Sequence, residues 1–70
     1  MATIKTESIE PDRVHLGNSM VVRLHVQTST GRFTFPFTVE DQGSMSANEK
    51  QALRELRTFL QEALQALGDS

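Results

Sequence analysis

The stretch MVVRLHVQTSTGRFTFPFTVE, residues 20–40, decides the fold because apolar and polar side chains alternate on both sides of a short polar turn. The even positions from Met20 to Val26 are apolar, and so are the odd positions from Phe33 to Val39. Alternation with a period of two is typical of strands that bury one face. These residues therefore predict an antiparallel β-hairpin whose apolar side chains share one face.

The turn of this hairpin sets which residues face each other. Glycine adopts positive φ without strain, so Thr30 and Gly31 are predicted to form a two-residue loop. In that register Val22 faces Val39 on the apolar face. On the polar face the same register predicts the pairs Arg23 with Thr38, His25 with Pro36, and Gln27 with Thr34.

A further strand is predicted before the hairpin, where Val14 and Leu16 share one face of a short extended segment. Residues 17–19 (Gly-Asn-Ser) have the composition of a turn. A three-residue loop there sets Leu16 opposite Met20 and Val14 opposite Val22, which keeps the apolar side chains together. This loop length is therefore the predicted one.

The two ends of the chain have different patterns. Residues 1–12 alternate only weakly, which predicts a loose arm or an edge strand and places the sheet at residues 13–40. Residues 46–67 are nearly all strong helix formers, and Ser46 followed by Glu49 matches a capping box. The apolar residues of this helix have helical spacing and are Leu53, Leu56, Leu60, Leu64 and Leu67, with Phe59 and Ala63 beside them.

A meander with one apolar face needs a cover, and one amphipathic helix supplies it. The predicted fold is a single α+β domain over residues 1–70: a three-stranded antiparallel β-meander packed on one face by a single C-terminal α-helix (βββα). The alternating phenylalanines are assigned to the covered face. An RNA-stacking surface is disfavoured because Arg32 is followed directly by Phe33, without the glycine of the RNA-recognition motif.

Composition excludes several classes of protein. The chain has 70 residues and no cysteine, which excludes disulfides, thiolate metal sites and thiol nucleophiles. Its N-terminus has no apolar segment of the signal-peptide kind, and its longest uninterrupted apolar run is residues 20–22. We therefore expect a cytoplasmic protein without a membrane span.

The charge pattern disfavours a nucleic-acid partner. The net charge is −2, whereas proteins that neutralise phosphates normally carry a basic surplus. Residues 1–36 carry four basic and three acidic side chains, and residues 37–70 carry three basic and six acidic ones. Any basic patch must therefore be local.

No motif for catalysis, a cofactor or a metal stands out, so the candidate sites are surfaces. The polar sheet face would present Arg23, His25, Gln27, Arg32, Thr34 and Thr38. The absent N–H of Pro36 suits an edge strand, and Phe59 and Ala63 widen one flank of the helix. The sequence favours a small non-catalytic protein-interaction module that forms a homodimer through the helix flank or the edge strand. The alternative is a nucleic-acid-binding domain that uses the polar face, which is otherwise the solvated side of the sheet.

Overall fold

The computed structural model describes residues 2–12 and 17–68. The described elements are β1 (Thr3–Pro11), β2 (Ser19–Thr28), β3 (Gly31–Glu40) and α1 (Met45–Gly68). The strands form one antiparallel sheet in the order β1-β2-β3, and α1 packs on one of its faces. The predicted βββα meander is confirmed.

The loop of the β2–β3 hairpin lies one residue earlier in the chain than predicted. Its loop is Ser29 and Thr30, and the pair that closes it is Thr28 with Gly31. The Thr28 hydroxyl accepts a hydrogen bond from the Thr30 backbone N–H at 3.2 Å, which stabilises the loop at this position. The predicted partners are therefore wrong by two residues, while the predicted faces are right, because a slip of two residues preserves the alternation.

Gly31 has a packing role instead of the predicted turn role. Its φ is not positive, and the Phe33 ring lies against it. A Cβ atom at this position would lie 3.2 Å from Cζ of Phe33, closer than carbon atoms normally approach. The glycine thus leaves room for the aromatic ring on the apolar face.

The first strand lies earlier in the chain than predicted. Met20 pairs with Pro11 and Val22 pairs with Ile9, so the predicted pairs of these residues with Leu16 and Val14 are wrong. Val14 and Leu16 themselves lie outside the described residues. The sheet begins at Thr3 rather than at residue 13, and Thr3–Pro11 forms one of its edge strands.

A β-bulge explains why this strand is hard to recognise in the sequence. Thr6 pairs with Leu24 and Ser8 with Arg23, which leaves Glu7 as the additional residue. The bulge shifts the apolar face from even to odd positions, so that Ile4 and Ile9 both lie on it. The weak alternation of residues 2–9 is the consequence.

The helix also begins earlier than predicted. Ser44, not Ser46, caps it, because the Ser44 hydroxyl accepts a hydrogen bond from the Ala47 N–H at 3.1 Å. The preceding Gly43 has φ of +94°, which turns the chain directly after β3. Asn48 is 2% exposed and stabilises this turn. Its Oδ1 accepts a hydrogen bond from the Gln42 N–H at 2.7 Å.

The core is small and lies between β2, β3 and the first half of α1. Its buried apolar residues are Val22, Leu24, Val26, Val39, Ala52 and Leu56. Phe35 and Phe37 pack against this core but are only half-buried, and Phe33 remains 47% exposed. The phenylalanines thus lie on the predicted face without forming its buried centre. In the described part of the chain, no helix has the length and apolarity needed to cross a membrane.

Candidate protein-interaction surface

One face of α1 attaches the helix to the sheet. Asn48, Ala52 and Leu56 follow each other at four-residue intervals, and all three are buried. Further along, the ring centroid of Phe59 lies 5.3 Å from that of Phe35. Phe59 therefore contributes to packing against β3, although it is still 43% exposed.

A second apolar face of α1 is left uncovered, and we call it the leucine seam. Its exposed fractions are 38%, 46%, 71% and 72%, in chain order, for Leu53, Leu60, Leu64 and Leu67. The prediction that these leucines cover the sheet is wrong. Successive residues advance by about 100° around a helix, so Leu53 and Leu60 lie roughly 40–60° away from the buried Leu56.

The leucine seam borders an open groove between α1 and β1. The groove has a volume of about 430 Å³ and is lined by Ile4, Leu53, Leu56, Arg57, Leu60, Gln61 and Leu64. Ile4 is 48% exposed and supplies the wall on the β1 side. Since exposed apolar side chains converge here from two elements, this is a surface suited to another protein segment.

The seam carries positive charge in its first half. Lys50, Arg54 and Arg57 line a shallow depression beside Leu53. Among the described residues, neither Lys50 nor Arg57 lies within salt-bridge distance of a carboxylate. A partner on this surface would therefore meet leucines at one end and cations at the other.

The polar sheet face brings together most of the predicted surface residues. β2 and β3 set Arg23 opposite Pro36, His25 opposite Thr34, Gln27 opposite Arg32, and Thr38 opposite Val21. Arg23 Nη1 lies 3.2 Å from Glu10 Oε2, and the Thr34 hydroxyl lies within 3.5 Å of both Glu7 and His25. The acids Glu7 and Glu10 were not predicted here because β1 was not placed.

These acids change the electrostatics of the polar face. Among the residues that the structure describes, its basic side chains are Lys5, Arg23 and Arg32, and its acidic side chains are Glu7, Glu10 and Glu40. Equal numbers of opposite charges give no net attraction for a polyanion. This balance counts against the nucleic-acid alternative.

Both edge strands carry a proline with its nitrogen facing away from the sheet. Hydrogen-bonded and non-bonded pairs alternate from the closing pair Thr28–Gly31, so Pro36 falls at a non-bonded position. By the same alternation Pro11, opposite Met20, falls at a non-bonded position of β1. Each edge therefore lacks one of its outward N–H groups, which disfavours pairing with another strand.

Phe59 and Ala63, the predicted helix flank, lie on the β3 side of α1. Phe59 packs on Phe35, and Ala63 is half-buried. The leucine seam and Ile4 were not among the predicted interaction residues. A signal was present in the sequence, because an apolar arc from Phe59 to Leu64 is wider than one sheet face covers.

No protein-family model matches the chain, and neither the curated proteins nor the solved structures that were compared include a significant match.

Proposed function

We propose that this chain is a small non-catalytic protein-interaction module that works as a homodimer through the leucine seam of α1 and the groove beside it. The observation that carries the proposal is the exposure of four leucines at helical spacing on one stripe. A helix in water normally turns such a stripe toward a protein surface. The partner of this stripe is a second copy of the chain, which presents the same apolar stripe.

The size of the accessible surface supports association. A compact monomer of 7.8 kDa is expected to expose about 4400 Å². This chain exposes 5499 Å², which is about 1100 Å² more. A standard interface covers about 800 Å² on each partner, so the surplus is large enough for one such contact.

The sheet edges support the helix as the route of association. The proline on each edge removes an outward donor, and the Gln42 side chain donates to the outward Glu40 carbonyl at 2.7 Å. The bulge at Glu7 further twists the other edge. Of the two routes that the sequence left open, the helix is therefore the one we propose.

The experiment that tests the proposal places a charge in the seam. Leu64 is 71% exposed, so Leu64→Glu leaves the monomer core intact while removing apolar contact area from the interface. We expect the dimer dissociation constant to rise at least about tenfold, because a buried leucine contributes roughly 1.5–3 kcal/mol. Sedimentation equilibrium of both proteins measures this change.

Gln65→Glu is the matched control, since it adds the same charge one residue further along, about 100° around the helix from Leu64 and outside the leucine seam. We expect it to associate like the unaltered chain. Equal dissociation constants for the two variants would show that the seam is not the interface. Urea unfolding of the dilute proteins shows whether either change affects the fold of the monomer.

A further inference from the structure

We infer that the two α1 helices of the dimer run antiparallel, each lying along the other's seam and against its groove. This inference rests on the proposed dimer and adds the orientation of its subunits. The evidence for it is the order of leucines and cations along α1.

The seam has the spacing of a coiled-coil helix. Leu53, Leu60 and Leu67 recur every seven residues, which is one heptad position. A second heptad position faces the same side of α1. It is occupied, in chain order, by Lys50, Arg57 and Leu64. Arg57 lines the groove together with Leu53 and Leu60, which agrees with this assignment.

A parallel pair of helices would bring like charges together. In a parallel two-fold dimer each residue of these two heptad positions faces the same residue of the second copy. Arg57 then meets the partner's Arg57, and Lys50 meets the partner's Lys50. The two heptad positions together contain six residues of α1. In a parallel dimer two of these six would place a cation against the same cation in a partly desolvated contact. Repulsion between these like charges destabilises the parallel orientation.

An antiparallel pair separates these charges. In antiparallel packing the two seam positions alternate across the interface, so that one register sets Arg57 opposite Leu60 of the second copy. The same register sets Lys50 opposite Leu67 and Leu53 opposite Leu64. The aliphatic stems of the cations then cover leucines while their charged ends reach water.

The groove beside the seam is consistent with this arrangement. Ile4 stands 48% exposed across the groove from Leu60 and Leu64, so a helix along the seam also contacts β1. A two-fold axis makes the contact reciprocal, and each copy offers a groove and fills one.

Disulfide trapping distinguishes the two orientations, and the absence of native cysteine makes the readout clean. Three variants are needed: Leu53→Cys, Leu64→Cys, and the double variant with both changes. In the antiparallel dimer we expect rapid covalent dimer formation only for the double variant, because Leu53 faces Leu64. Within one helix these positions are roughly 16 Å apart, too far for an internal disulfide.

Rapid dimer formation by both single variants would establish a parallel pair and overturn the inference. Sedimentation of the reduced variants separates this outcome from failure of the dimer itself. If the reduced proteins associate and no variant forms a covalent dimer, the helices do not pair along the seam and the inference is also wrong. If the reduced variants and the unaltered chain are all monomers, both the proposed homodimer and the inferred orientation of its helices are wrong.

Discussion

Asn48 is a buried polar side chain whose hydrogen bonds hold the start of α1 against the end of β3. Its Oδ1 accepts from the Gln42 N–H, and its Nδ2 donates to Asp41 Oδ1 at 3.2 Å. Among the described residues, no buried side-chain polar atom lacks a partner. The side chain thus fixes where the helix leaves the sheet, which in turn decides which helical residues are covered.

We expect Asn48→Ala to lower the free energy of unfolding by about 1–3 kcal/mol, because the buried Asn48 side chain loses its two hydrogen bonds, from the Gln42 N–H and to Asp41. Urea denaturation of the two proteins measures the difference. Gln65→Ala, an exposed helical position, is the control and should stay within about 0.5 kcal/mol of the unaltered chain. An Asn48→Ala protein as stable as this control would contradict the structural role assigned to Asn48.

Asp41 makes the free energy of unfolding depend on pH. The Gly43 backbone N–H first, and the Asn48 side chain second, hold the pKa of Asp41 below its ordinary value of 3.8. A carboxylate whose pKa is lowered in the folded state stabilises the fold above its unfolded pKa. This contribution disappears as the pH falls through the folded pKa.

We therefore expect Asp41→Asn to be less stable than the unaltered chain at neutral pH and to approach its stability as the pH falls below about 4. Urea midpoints across this pH range test the expectation, with Glu62→Gln, an exposed helical carboxylate outside this network, as control. A stability difference that stays constant with pH, or that widens in acid, would contradict the role of Asp41.

At the scale of elements, the sequence predicted the β2–β3 hairpin and α1 because their periodicity is regular. The same regularity could not determine the hairpin register, since a slip of two residues leaves every side chain on its face. It also could not reveal β1, because the bulge at Glu7 breaks the alternation. The observed hairpin register is accompanied by the hydrogen bond of the Thr28 hydroxyl in the loop, which periodicity does not encode.

The proline of β3 gives a test at this scale. Pro36→Thr restores an N–H on the outward side of the strand and leaves the apolar face unchanged. We expect the domain to keep its fold and to gain higher-order association through its edge, which light scattering detects. Thr38→Val, which raises strand propensity without adding an N–H, is the control and should not associate further. An equally dispersed Pro36→Thr protein would mean that the edge is protected by something other than proline.

At the scale of the whole molecule, α1 has more apolar surface than the sheet covers. The small side chain of Ala52, 0% exposed, lies against the core, and Asn48 sets the direction of the helix. Together they place Leu56 inward and leave Leu53, Leu60 and the later leucines outside. The sequence revealed a wide apolar arc, but the part left open depends on how the helix docks, which only the structure shows.

The central claim is that the uncovered face of α1 is an interface between two copies, and the molecular mass of the unaltered chain tests it most directly. We expect sedimentation equilibrium to show a reversible increase from 7.8 kDa toward twice that mass as the concentration rises into the high micromolar range. A mass of 7.8 kDa that does not change over the whole range would contradict the account.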